Sequence, residues 1–162
     1  MLDYITIFKE FNKKRIKYIV VGGLAVNLYG IPRMTYDIDL IIDFEEKNVK
    51  KFLFLLKKLG FKPKLSVELN DFLKKEKRNF WIKTKNMVAF NFVNPDIAIS
   101  EIDVLINPTF EYLKVCKKIN YVSIKKVKVP LISIDDLIKM KSKTNRRQDK
   151  TDIKYLKKVR ND

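Results

Sequence analysis

Asp37 and Asp39 lie one residue apart in "TYDIDLIID", a run that otherwise has the composition of a buried strand. Side chains alternate along a strand, so both carboxylates point to one face while Ile38 and Leu40 point to the other. Two like charges this close repel, and one takes up a proton unless a cation sits between them. Magnesium resolves such a conflict by accepting one or two carboxylates and completing its shell with water and phosphate oxygens. A third acid follows the same pattern: Asp103, in "SEIDVLI", lies between Ile102 and Val104 and projects away from both. If its strand neighbours the first, three carboxylates converge as in a two-metal phosphoryl-transfer centre. Asp103 would then also help to deprotonate an attacking hydroxyl. Glu101 shares that face and is the reserve candidate. The chain has no histidine, which removes His-based triads and most zinc sites. Oxygen ligands remain, and they favour magnesium or manganese.

Gly22 and Gly23 lie between the apolar run "KYIVV" and a helix start. Backbone N–H groups and the helix dipole attract phosphate there, and glycine lets it approach closely. An ordinary tight turn is the competing interpretation. Arg33 and Thr35 precede the first aspartate in a loop, where Arg33 could grip a phosphate or form a loop ion pair and Thr35 could orient Asp37. Near the C-terminus, "SIDDLIKMKSKTNRRQDKTDIKYL" offers Lys141 as a point charge and an arginine, Arg146 or Arg147, as a bidentate phosphate contact. Asp149 and Asp152 fall near a helix start, where acids offset the dipole, and a structural role is expected for both. Lys143 is expected on the surface.

The order apolar residue, Gly22-Gly23, spacer, Asp37-Ile38-Asp39-Leu40, then a lone Asp103 resembles the nucleotidyltransferase superfamily that includes DNA polymerase β. The wording "GGLAVNLYG" followed by "DIDL" is similar to its small stand-alone prokaryotic members, in the branch of the AbiEii-type toxins. Many such relatives carry Gly-Ser where this chain has Gly22-Gly23. The C-terminal set Lys141, Arg146, Asp149 and Asp152 matches the family ending by spacing. The resemblance implies a metal-dependent enzyme that moves a nucleoside monophosphate from a nucleoside triphosphate to a hydroxyl and releases pyrophosphate. The implied metal set is Asp37, Asp39 and Asp103, with Gly22, Gly23, Arg33, Thr35, Lys141 and Arg146 on the nucleotide. The basic surface would suit an RNA acceptor such as a tRNA 3′ end, and an antitoxin protein would be a partner if the enzyme is a toxin. A small-molecule or protein acceptor, or a binding protein without turnover, are the alternatives.

These residues need elements to hold them. "DYITIFKEFNKK" fits a helix with Ile5, Phe8 and Phe11 on one face, and "EEKNVKKFLFLLKKLG" is the clearest helix, with Val49, Phe52, Leu53, Leu56 and Leu59 in period and Gly60 at its end. "KYIVV", "DIDLIID", "MVAFNFV", "SEIDVLIN", "NYVSI" and "VKVPLIS" read as strands. "NFWIKTK" is expected to pair with "MVAFNFV" as a hairpin through Lys85-Asn86, with Trp81 either filling the core or stacking on a base. "SVELNDFLKKEKR" suggests a short helix, "PTFEYLKVCKK" a longer one, and the last segment, about 134–160, two helices broken near "TNRRQ". The expectation is one α/β (α+β) domain over 1–162, a mixed sheet with helices packed on it and a helical C-terminal end.

Composition bounds the rest. The 162 residues are 46% hydrophobic, enough for one core, and carry a net charge of +16, which favours an anionic partner or reflects an AT-rich genome. Cys116 is the only cysteine, so no intramolecular disulfide forms. No apolar run reaches membrane-spanning length and no basic-then-apolar leader opens the chain. A cytoplasmic protein without membrane contact is expected, with Phe11, Phe110 or Tyr112 as candidate contacts between copies.

Overall fold

The computed structural model describes residues 3–97 and 101–162. Helix α1 (Tyr4–Lys13) leads into strand β1 (Tyr18–Val21), helix α2 (Gly22–Leu28), strand β2 (Ile38–Ile42) and helix α3 (Glu46–Lys58). A short β3 (Lys62–Pro63), helices α4 (Leu69–Phe72) and α5 (Lys75–Lys85), and strands β4 (Ala89–Val93) and β5 (Glu101–Leu105) follow. Ser100, expected to open the last of these, lies outside the described residues. After a 3-10 turn (Pro108–Phe110) and the short α6 (Tyr112–Val115) come β6 (Asn120–Ile124), β7 (Val127–Leu131), α7 (Ile134–Ser142) and α8 (Arg147–Asn161).

Among the described residues seven strands form one sheet in the order β3-β4-β5-β2-β1-β7-β6. It is mixed, as expected: β2 runs parallel to β5 and β1 parallel to β7, while β1–β2, β4–β5, β3–β4 and β6–β7 are antiparallel. The β6–β7 hairpin turns through Lys125 and Lys126, both at positive φ, as a two-residue turn with the twist of its strands requires.

One face of the sheet is a dry aromatic layer. Ile38 and Leu40 pair in register with Ile102 and Val104, which pair in turn with Phe92 and Phe90. Phe8 and Phe11 of α1, Phe52 of α3, Phe72 of α4 and Trp81 of α5 cover them, ring against ring. Each fully buried Phe contributes on the order of 2 kcal/mol of burial, which anchors β2 and β5 from behind and leaves their other face to polar side chains.

Several expectations change. The segment from Asn79 to Lys85 is the C-terminal part of α5, not a strand, so no hairpin forms there. Asn86, left-handed at φ 48, ends that helix, and Trp81 lies 4% exposed against Phe90, which settles its choice in favour of core over base platform. Its helical fate is set by packing: an aromatic pair is a β signal locally, but Trp81 reaches the aromatic layer from a helix just as well. "PTFEYLKVCKK" breaks into two 3-10 turns and one short helix. In α1 the buried residues are Ile7, Phe8 and Phe11, with Ile5 only half-buried. Phe11 and Phe110 are buried and so offer no surface to a second copy, whereas Tyr112 is half-buried.

Candidate active site

The polar face of β2 and β5 carries the acids. Asp39 stands directly opposite Asp103 across the parallel β2–β5 pair, and Asn91 on β4 is Asp103's partner on the other side. Asn91 donates from Nδ2 to Asp103 Oδ1 at 2.7 Å. Asp37 precedes β2 on the same side and accepts a backbone hydrogen bond from Glu101. Glu101, the reserve acid, is ion-paired with Lys64 at the edge of this cluster.

These carboxylates repel one another. Burial first, then Asp103 and Asp37, push Asp39 up to about 6. Burial, followed by Glu101, raises Asp37. Burial also raises Asp103, against the hydrogen bond from Asn91 that lowers it. Lys141 and the Gly23 N–H pull Asp39 the other way but do not prevail.

Gly22, at φ +66, opens α2 directly beside Asp39: a Cβ there would lie 2.0 Å from Asp39 Oδ2. A Cβ on Gly23 would lie 2.6 Å from the Arg33 guanidinium and 3.1 Å from Thr35 Oγ1. The glycine pair therefore leaves space for protein side chains. The Gly23 N–H, expected to wait for phosphate, is given to the Asp39 carboxylate. The Arg33 guanidinium passes over Gly23 in the space a side chain would fill. Thr35 Oγ1 donates to the Asp37 carbonyl at 3.4 Å, holding the loop into β2.

A second acidic set faces the first from the C-terminal helices. Ser133 caps α7 by accepting from the Asp136 N–H, and α7 delivers Lys141, only 5% exposed, to Asp149 and Asp152 of α8, each at 2.9 Å. Thr144 donates to Asp149, Arg146 Nε reaches Asp149 Oδ2 at 2.7 Å, and the Arg33 guanidinium lies 3.0 Å from Asp152 Oδ2. Burial raises the Asp149 carboxyl, but its hydrogen bonds from Thr144, Lys141 and Arg146 outweigh that and bring it down to about 2. Asp149 and Asp152 thus have the structural place expected of them. Lys141 and Arg33 are already committed to these acids.

Between the two sets lies a cleft of about 330 Å³. Gly22, Asp39, Lys141, Lys143, Arg146 and Asp149 line its polar part, and Val21, Val88, Leu105, Phe110 and Met140 its apolar part. Arg146 lines it and Arg147 does not, and Lys143, expected as a surface residue, belongs to it. Sequence reasoning missed Asn91, Lys64 and Thr144. A polar residue between Phe90 and Phe92 marks Asn91 as facing away from the core; its pairing with Asp103 needed the strand register. Lys64 and Thr144 carry no such signal.

Among the described residues no group of three or more His, Cys, Asp or Glu side chains forms a site that could hold a metal ion on its own. The donor set nevertheless suits a hard cation, because magnesium needs only one or two carboxylates and takes its other ligands from water and phosphate. The unrelieved repulsion that lifts Asp39 is the feature such a cation would remove.

Comparison with known proteins agrees with this geometry. Solved structures share the fold. The lincosamide antibiotic adenylyltransferase LnuA, lincomycin-bound, superposes with a TM-score of 0.64 at 18% identity, over 94% of this chain and 93% of that one. ANT(2")-Ia in complex with adenylyl-2"-tobramycin gives 0.59 at 13% identity, over 95% and 88%. An antigenic nucleotidyltransferase-like protein from Paracoccidioides brasiliensis gives 0.54 at 18%, over 96% and 72%. No curated protein matches the sequence. Residues 4–159 match the family described as "Nucleotidyltransferase of unknown function (DUF6036)". The chain belongs to this family and is an enzyme of the nucleotidyltransferase class; the AbiEii-type branch is not singled out by these matches.

Proposed function

We propose that the protein transfers a nucleoside monophosphate from a nucleoside triphosphate to a hydroxyl acceptor at the cleft between β2–β5 and α7–α8. The observation that carries this is Asp39 in register with Asp103, both carboxyls raised, beside a cleft lined by Lys141, Lys143 and Arg146. Magnesium or manganese, held by Asp37, Asp39 and Asp103, would supply charge neutralisation and Lewis-acid polarisation of the phosphate oxygens. Arg146 and Lys143, which line the cleft, are the cations for the β- and γ-phosphates, and Lys141 ties α7 to α8 behind them. Gly22 and Gly23 leave the Asp39 carboxylate and the Arg33 loop unobstructed where the triphosphate lies. The acceptor oxygen attacks the α-phosphorus, the bond to the bridging oxygen breaks, and pyrophosphate leaves. The hydroxyl proton passes to Asp103, the carboxylate beside Asp39 that Asn91 holds in place.

The net charge of +16 favours an RNA acceptor, such as a tRNA 3′ end, in the cytoplasm. Transfer to cellular RNA is also how a toxin restrained by an antitoxin would act. A small-molecule hydroxyl is the second reading, favoured by the lincomycin and adenylyl-tobramycin complexes of two proteins with this fold. Among the described residues no helix is long and apolar enough to cross a membrane.

The test incubates the protein with magnesium or manganese, each α-labelled nucleoside triphosphate, and either total RNA or a panel of hydroxyl-bearing antibiotics. The Asp37→Asn/Asp39→Asn variant runs alongside. Label in an acceptor with the intact protein alone supports the proposal. Equal labelling by the double variant overturns it.

A further inference from the structure

Phe110, 5% exposed on its 3-10 turn, is a wall shared by three cavities. One is the catalytic cleft. The other two leave it in different directions, and their charge differs. The first, about 340 Å³, carries Asp43, Glu45 and Glu111 against Lys75 and Arg78, with Phe44 and Tyr112 among its walls. The second, also about 340 Å³, carries Lys114, Lys118, Lys139 and Lys143 against the single acid Asp136. Lys143 lines both this second groove and the cleft, so the two adjoin at its side chain. Beyond it, Lys118 and Lys139 border a further hollow with Arg160, where Lys139 is ion-paired with Asp136 at 3.6 Å and Arg160 with Asp135 at 3.0 Å.

The lysines come from two separate elements. Lys139 and Lys143 are four residues apart at the C-terminal end of α7, about 6 Å along its axis and on one side of the helix. Lys118 ends the second 3-10 turn, and Lys114 lies on α6, ion-paired with Glu111. Lys143 sits over the Phe110 ring at 4.9 Å, at the point where the groove opens into the cleft. Facing rows of exposed cations along a channel that ends at the reacting centre fit a chain of phosphates, not a compact molecule. The cavity on the other side of Phe110 has no such row, since its acids outnumber Lys75 and Arg78.

We propose that the lysine groove is the track for the phosphate backbone of a single-stranded RNA acceptor, whose terminal hydroxyl passes Phe110 and Lys143 into the cleft. This rests on the transfer reading above for the identity of the reacting end, but the binding itself does not. The direct test is fluorescence anisotropy of a labelled single-stranded RNA oligomer as a function of salt. Lys118→Gln/Lys139→Gln is compared with Lys57→Gln/Lys58→Gln, which removes the same charge from α3 on the opposite face of the sheet.

The groove variant should bind about tenfold more weakly near 0.1 M salt, with the slope of log K against log salt reduced by roughly 1.4 for two lost phosphate contacts. The α3 variant should stay within about twofold of the intact protein. No RNA binding by the intact protein, or equal losses in the two variants, overturns the track. The transfer assay separates the two ideas. RNA binding with the expected lysine dependence, but no label transferred to any acceptor, removes the transfer reading and leaves the track. Transfer to a small hydroxyl compound, with RNA binding untouched by the groove substitutions, removes the track and leaves the transfer reading.

Discussion

Two acidic sets meet at one cleft, which Asp39 lines from the first and Asp149 from the second, and they are electrostatic opposites. Asp37, Asp39 and Asp103 stand on neighbouring strands with too few cations, and the Asp39 carboxyl rises to about 6. Asp149 and Asp152 are closed off from solvent, at 1% and 2% exposure, and Asp149 falls to about 2 because hydrogen bonds from Thr144, Lys141 and Arg146 outweigh its burial. Burial pushes both the same way; partners decide the outcome. The lesson is that an acid's depth says little about its role. A fully partnered carboxylate builds the wall of a site, and an under-partnered one in the same cleft is left to bind something that the chain does not contain. Lys141 touches both sets: it pairs directly with the second and, through space, lowers the first.

The largest expected effect breaks the comparison on its catalytic side. Asp39→Asn should reduce nucleotidyl transfer by on the order of 10⁴-fold, about 5.5 kcal/mol of transition-state stabilisation, while leaving the fold intact. Initial rates with saturating magnesium and nucleoside triphosphate measure this; a loss below tenfold would remove Asp39 from the chemistry. Next in size is Lys141→Met, which leaves Asp149 and Asp152 buried without their shared cation. Removing one partner of a buried pair costs about 3–5 kcal/mol, so thermal unfolding should shift down by about 10 °C for a domain of this size. An unchanged melting temperature would show that Arg146 and Arg33 suffice for the second set.

The two sets were not equally legible in the sequence. The alternation of Asp37, Ile38, Asp39 and Leu40 gave away its faces, because strand period two is unambiguous when apolar and charged residues interleave. Asp103 followed by the same rule, and the helices α3, α7 and α8 by their caps and periods. The pairing of strands was not visible: that Asp39 meets Asp103 depends on a parallel β2–β5 register formed across 60 residues of intervening chain, which local pattern does not encode. Lys141 and Arg33 were recognised as cations near phosphate, but their partners Asp149 and Asp152 come from another helix, so their commitment to ion pairs emerged only with tertiary structure. The strand expected over 79–85 failed for a related reason, while the core place of Trp81 held: the segment satisfies a strand propensity locally and an aromatic layer globally.

The comparison also has a sign that pH can read. Asp149 is held below its ordinary value of 3.8, so its contribution is present above pH 3.8 and is lost as pH falls through about 2; it is worth about 2 kcal/mol. Asp39 is held above 3.8, so the native state prefers it protonated, and its cost appears as pH rises from 3.8 through about 6. Metal-free Asp39→Asn should therefore be more stable than the intact protein above pH 6, by about 3 kcal/mol, with the gap closing below pH 4. Asp149→Asn should be less stable throughout that range. Urea unfolding with a chelator present, from pH 3.5 to 8, resolves the two slopes. Magnesium with a nucleoside triphosphate should then stabilise the intact protein and not Asp39→Asn. If Asp39→Asn is destabilising at pH 7 without metal, the repulsion among the three aspartates is already balanced and the contrast between the sets disappears.

The smallest effects separate the sets through the glycines that back them. Gly22→Ala places a Cβ at 2.0 Å from Asp39 Oδ2 and 2.8 Å from Asp39 Cβ, at φ +66. The left-handed conformation alone costs an alanine about 1–2 kcal/mol, and the clash with Asp39 Cβ cannot be relieved by turning the carboxylate. This variant should lose both stability and transfer, because Asp39 must move. Gly23→Ala meets only the Arg33 guanidinium, at 2.6 Å, and the Thr35 hydroxyl. The far end of Arg33 can shift, so the expected cost is about 1 kcal/mol, taken from the Arg33–Asp152 pair, with transfer kept within a few fold. Unfolding midpoints and transfer rates measured on both variants give a two-by-two result. Loss of transfer in Gly22→Ala alone places the chemistry on the repelling set. Equal loss in both would mean that the Arg33–Asp152–Lys141 wall fixes the reacting geometry as tightly as the strands do, and that the second set acts on catalysis through position.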